Sequence, residues 1–197
     1  MPSDLLALAE QFLPAYLLPG AREQLLKQIN EFPHNRGYYA SINEPEYLQG
    51  DRWSGFIIFN FDSGERKEVK GLIISNSCDI NRNNNTVPSQ RVVFAPVIRM
   101  AAYIDLLKAD GRDEARIETM VDRIKKQHVD NVFYLPEHGD LPDALVLLDN
   151  LHSEPLAYFW AAPKNRISRL SDFGFWLFVL KLSIHFTRLR EEVQRGS

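Results

Sequence analysis

Hydrophobic and polar positions alternate between two periods along the chain. From Trp53 to Ser75 the pattern is extended. Trp53–Phe61 (WSGFIIFNF) is β-branched and aromatic, Asp62-Ser63-Gly64 is a tight-turn signal, and Lys67–Ser75 (KEVKGLIIS) returns as the second strand of a hairpin. The end of that strand, Leu72-Ile73-Ile74, is apolar at consecutive positions, which predicts a central strand covered on both faces. Further apolar runs of strand length are Arg91–Pro96, Asn131–Leu135 (stopped by Pro136), Ala144–Asp149 and Leu156–Trp160.

Elsewhere the period is helical. Ser3 is placed to cap a helix over Asp4–Leu13, and a second is expected over Ala21–Glu31. Met100–Lys108 and Asp113–Gln127 follow, separated by Gly111, the latter with Ile117, Met120, Val121 and Ile124 as its apolar stripe. Ser171 caps a terminal helix with Asp172 in its first turn, where the helix dipole favours an anion. Two polar stretches stand between these elements. Pro33–Gly50 carries three tyrosines among Pro, Asn and Gly breaks, and Asn76–Gln90 is rich in asparagine. The order predicts an α+β fold in a single domain over 1–197: a helical arm at 1–32, a strand-rich centre at 50–160 with a helical insertion at 99–128, and a long helix at 171–194.

Composition narrows the setting. The 197 residues are 45% apolar, enough for a core, and the net charge of −3 gives no global attraction to nucleic acid or anionic membrane. Cys78 is the sole cysteine, so no internal disulfide forms and an oxidising compartment is not indicated. The N-terminus lacks the basic start of a signal peptide. The most apolar stretch, Phe173–Phe186, is about 14 residues long against the roughly 20 needed to span a bilayer. A cytoplasmic location with no membrane contact is expected.

Gly50-Asp51-Arg52-Trp53, Lys70-Gly71-Leu72-Ile73-Ile74-Ser75-Asn76 and Arg91-Val92-Val93-Phe94-Ala95-Pro96-Val97 occur in the order seen in the MazF/PemK family, which this quarter of the chain resembles. The resemblance implies an SH3-like barrel. A longer stretch, with Ser75-Asn76-Ser77-Cys78-Asp79-Ile80, Phe133-Tyr134-Leu135-Pro136 and Arg166-Ile167-Ser168-Arg169-Leu170-Ser171, is similar to a subgroup of bacterial and phage proteins with an "ISQxCDI"-like turn. Family members are mostly toxins that cut RNA without a metal. Their arginine before a proline at the start of the apolar strand is replaced here by Lys70-Gly71, and the serine or threonine after the Ala-Pro-like turn by Val97 and Ile98. The resemblance therefore implies a non-catalytic or catalytically altered barrel that binds a macromolecular partner in a bacterial toxin–antitoxin or phage-defence setting. The rival is an endoribonuclease with a rearranged site built from Lys70, Asp79 and Arg82, since phosphoryl chemistry needs charge stabilisation and acid/base groups. Inhibition of a protein target, as in barrel relatives that bind gyrase, is a third class. The expected partners are a protein, RNA in the rival reading, and a second copy of the chain; no cofactor and no metal is expected.

The candidate binding residues are Asn76, Cys78, Asp79, Asn81, Arg82 and Arg91; the arginines and asparagines among them, with Arg99, Asn83, Asn84 and Asn85, form a set able to hold phosphate or a peptide carbonyl. Cys78 admits several readings. It is a nucleophile if folding brings His34, His128, His138, His152 or His185 to it, a metal ligand beside Asp79, or a small buried residue in a turn that Asp79 fastens by accepting backbone N–H groups. Trp53, Trp160 and Trp176 are expected in the core rather than on a base-stacking platform.

Overall fold

The computed structural model describes residues 37–41, 46–83 and 90–187. The two N-terminal helices expected within 1–32, Asn84 and Asn85, and the terminal helix beyond residue 187 lie outside them. The strands are β1 (Tyr39–Ala40), β2 (Arg52–Phe59), β3 (Arg66–Ile73), β4 (Arg91–Arg99), β5 (Val132–Leu135), β6 (Ala144–Leu147), β7 (His152–Pro155) and β8 (Arg166–Leu170). The helices are α1 (Met100–Ala109), α2 (Glu114–Lys125), α3 (Leu156–Ala161) and α4 (Asp172–Thr187). Every strand pairing is antiparallel, in the order β1-β8-β2-β3-β4-β6-β5, with β7 beside β4. The sheet curls into a half-barrel, and the fold is α+β.

The hairpin forms as the pattern predicts, with Ile58 opposite Lys67 and Phe59 opposite Arg66. Its turn is closed by Asn60 N–H on the Glu65 carbonyl at 2.9 Å. Phe61 falls in that turn rather than in the strand and is 87% exposed. The strand bulges between Trp53 and Phe56 at Gly55, whose φ of +85° suits glycine; a Cβ there would meet the Pro163 carbonyl oxygen at 2.8 Å.

β3 is central, as expected. Leu72 and Ile73 are both fully buried, on opposite faces. Leu72 joins Ala95, Val97, Phe133, Val146 and the inner face of α4 (Phe173, Leu177, Phe178, Leu180). Ile73 joins Trp53, Phe56, Phe94, Val92, Ile80 and, from α3, Leu156 and Phe159. A third cluster seats Met100 of α1 and Ile124 of α2 on Val132, Tyr134 and Leu145. Asp113 caps α2 by accepting the Arg116 N–H at 2.9 Å. Ser171 caps α4, its Oγ accepting the Gly174 N–H at 3.2 Å, with Asp172 in the first turn.

One expected strand is corrected. Leu156–Trp160 is helical: Leu156 and Phe159, three apart, are buried while Ala157 and Tyr158 are exposed, a helical spacing that starts directly after Pro155. The strands at this end of the sheet are instead β7 and β8, both polar in sequence. Among the described residues no helix is long and apolar enough to cross a membrane.

Candidate functional site

Two charged motifs far apart in sequence build one wall of a cleft. Asp51 at the start of β2 is 1% exposed, and Arg169 of β8 grips it through Nε on Oδ1 and a terminal nitrogen on Oδ2, both at 3.0 Å. Arg166 reaches Oδ2 at 3.3 Å. Asp51 Oδ2 also accepts the Leu48 N–H at 3.2 Å, and the Glu46 carbonyl accepts from Arg166 at 2.8 Å and Arg169 at 2.6 Å. The buried ion cluster therefore fixes the path of residues 46–48. Gln49 ties that segment to the end of β3, its side chain donating to the Ile74 carbonyl at 2.7 Å and its N–H to Ser77 Oγ at 2.9 Å.

The opposite wall is the polar turn after β3. Asn76 organises it: its Oδ1 accepts the Cys78 N–H at 2.9 Å, and its carbonyl accepts the Asp79 N–H at 3.1 Å. Asn81 repeats the arrangement, accepting the Asn83 N–H at 2.9 Å. Ile80, fully buried, anchors the turn in the core of β2, β3 and β4. Between the walls lies an open cleft of about 570 Å³ lined by Glu46, Tyr47, Leu48, Ser77, Cys78, Asn81, Arg82 and Asn83. Tyr47 stacks on Trp53 with ring centres 5.0 Å apart and meets Phe159 edge-on at 5.1 Å. The Arg82 guanidinium sits 5.9 Å from the Tyr47 ring and 5.8 Å from that of Trp160, within cation–π range.

The six nominated binding residues divide accordingly. Cys78, Asn81 and Arg82 line the cleft, and Asn76 shapes it. Asp79 is exposed and outside the lining, and the fastening expected of it is done by Asn76 and Asn81, whose side-chain carbonyls stand two residues before the N–H groups they hold. Arg91 is committed to β7, donating to Ser153 Oγ at 2.9 Å and to the Ser153 carbonyl at 2.7 Å. Lys70 is exposed on β3, on Leu72's face rather than that of Ile73 and Ile80, and does not line the cleft with Arg82.

Cys78 is exposed, so its reading as a buried small residue is corrected; the turn carries it outward while Ile80 takes the core position. Among the described residues no histidine lines the cleft. Among the described residues no three His, Cys, Asp or Glu side chains gather as a metal site. Trp53 is core as expected, whereas Trp160 and Trp176 are only half-buried. Glu46, Tyr47 and Leu48 line the cleft without having been expected there, and Trp160, expected in the core, lies beside Arg82. The tyrosines of 33–50 were the available signal, but nothing local ties Tyr47 to Arg82.

Two further buried cations belong to the frame. Lys164 pairs with Glu154 at 2.8 Å, donates to the Gly55 carbonyl, and lies 4.9 Å from the Phe56 ring. Lys181 of α4 donates to the Gln127 carbonyl, and burial lowers its ammonium to about 8. Burial likewise lowers Arg52, beside Tyr39, whose phenol burial pushes up.

No protein-family model matches this chain, and no curated protein matches it.

Proposed function

We propose that this protein is a non-catalytic or catalytically altered MazF/PemK-like barrel whose task is to bind a protein partner, and that the cleft between 46–48 and 77–83 is where a segment of that partner lies. The observation that carries the reading is the chemistry of the lining. It offers amides from Asn81 and Asn83, the Ser77 hydroxyl, the Arg82 guanidinium and an apolar wall from Tyr47 and Leu48. These groups suit the alternating donors and acceptors of an extended chain. Acid/base chemistry asks for two titratable groups poised across a reacting bond, and the set nominated for RNA cleavage is divided, with Arg82 in the cleft and Lys70 and Asp79 outside it. The toxin–antitoxin or phage-defence setting and the SH3-like topology rest on the resemblance of residues 50–98 and 70–190.

Selection of a phage-displayed random peptide library on the purified protein tests this. Peptides are expected to enrich on the wild type over the Tyr47→Ala/Arg82→Ala variant, and to slow thiol labelling of Cys78. No enrichment overturns the reading. So does cleavage of RNA by the wild type that is abolished in Lys70→Ala, Arg82→Ala and Asp79→Ala.

A further inference from the structure

We infer that the segment bound in this cleft carries a carboxylate, an aspartate or glutamate side chain, that seats on Arg82. The inference rests on the binding reading above and adds the chemistry of the ligand. Several other arginines have acceptors within the fold: Arg166 and Arg169 hold Asp51, Arg91 holds Ser153, Arg112 and Arg116 hold Asp110 and Asp113. Arg82 has two aromatic rings near it and, among the described residues, no carboxylate or carbonyl on its N–H groups. Attraction to ring faces does not use up a guanidinium's N–H groups, whose fork of donors matches a carboxylate bidentately.

Charge selects among anions. Among the described residues Arg82 is the one cation in the lining, opposed by Glu46, on a chain of net charge −3. A single fork suits a single anionic group. A nucleic-acid strand presents a phosphate at every residue and is held by many cations at once. The flanking Asn81, Asn83 and Ser77 are neutral and pair with backbone amides as readily as with any other polar group.

The experiment uses the peptides selected on the full-length wild type. They are expected to share an Asp or Glu at one fixed position. Replacing that residue with Asn or Gln, or making Arg82→Gln in the protein, is expected to weaken binding roughly ten- to a hundredfold. The two changes together should cost little more than either alone. Arg82→Lys, which keeps charge but not the fork, should fall between. Circular dichroism and the urea midpoint of each variant must match the wild type, since Arg82 is an exposed turn residue. Enriched peptides with no fixed acid, and affinities indifferent to Arg82→Gln, overturn this inference while leaving the binding module standing. A single-stranded RNA oligonucleotide that binds more tightly than any peptide, with affinity falling steeply in salt, overturns it in favour of phosphate recognition.

Discussion

Arg169 holds Asp51 with Nε and one terminal nitrogen of its guanidinium across 118 residues of sequence, each contact at 3.0 Å and the carboxylate 1% exposed. Removing one partner of such a pair leaves an uncompensated buried charge. Asp51→Asn is therefore expected to cost about 3–5 kcal/mol, read as a lowered urea midpoint. Arg169→Lys should recover little of an alanine replacement, because an ammonium cannot make both contacts. An unchanged midpoint in Asp51→Asn would show that the cluster is energetically silent.

Lys164 and Glu154 form a second buried pair, 3% and 6% exposed and 2.8 Å apart. Lys164→Met alone strands the carboxylate and is expected to destabilise by roughly 3 kcal/mol or more. Adding Glu154→Gln, which keeps an oxygen near the Ile57 N–H, should restore much of that loss. A double-mutant cycle in chemical denaturation measures the coupling, and additive losses would refute it.

Gly71 lies opposite Pro96 in the sheet, against the stacked rings of Phe56 and Phe94, whose centres are 4.1 Å apart. A Cβ on residue 71 would come within 2.6 Å of Phe56 and 2.8 Å of Phe94. Gly71→Ala is thus expected to cost about 1–3 kcal/mol through displaced rings. Gly64→Ala, with open space around it, should cost less, limited to its positive φ. Thermal melts of the two variants give the comparison, and equal losses would place the strain elsewhere.

Lys181 supplies a pH test. Burial lowers its ammonium from the ordinary 10.5 to about 8, so between those values the unfolded chain holds a proton that the folded chain does not. Stability from this group therefore rises with pH across that window, and the cost of the buried cation, on the order of 3 kcal/mol, is felt below it. Lys181→Met removes the cost and also the bond to the Gln127 carbonyl. Relative to wild type, the variant should lose about 3 kcal/mol of unfolding free energy between pH 7 and pH 10.5. Urea titrations at the two pH values check this, and a difference constant with pH would contradict it.

The hairpin, the doubly covered strand ending at Ile73, α1, α2 and the capped α4 were legible because each announces itself within a few residues: alternation, the turn Asp62-Ser63-Gly64, a stripe, a cap. β7 and β8 were not. His152–Pro155 and Arg166–Leu170 read as polar, and they are strands because Glu154, Arg166 and Arg169 are neutralised by Lys164 and Asp51, partners that no local pattern connects to them. The candidate site divides in the same way. The asparagine-rich turn drew notice for its composition, and Asn76, Asn81 and Arg82 do shape or line the cleft. The wall at 46–48 is set by the arginines of β8, so only folding reveals that Tyr47 faces Arg82.

β4 borders β7 along Arg91–Phe94, β3 along Phe94–Pro96 and β6 along Val97–Arg99, with Pro96, which has no N–H to donate, just before the change of partner to β6. The sheet thus has a spine that none of its neighbours can leave separately without breaking bonds to it. In hydrogen exchange, amides of β4 are expected to open only with global unfolding, while the hairpin between Phe59 and Arg66, bonded among the described residues only within itself, exchanges through small local openings. The cleft turn joins that spine through two amides donated to the Val93 carbonyl, from Ile74 and Ser75. A ligand that steadies the turn is therefore expected to slow exchange along β4 as well as at the surface it touches.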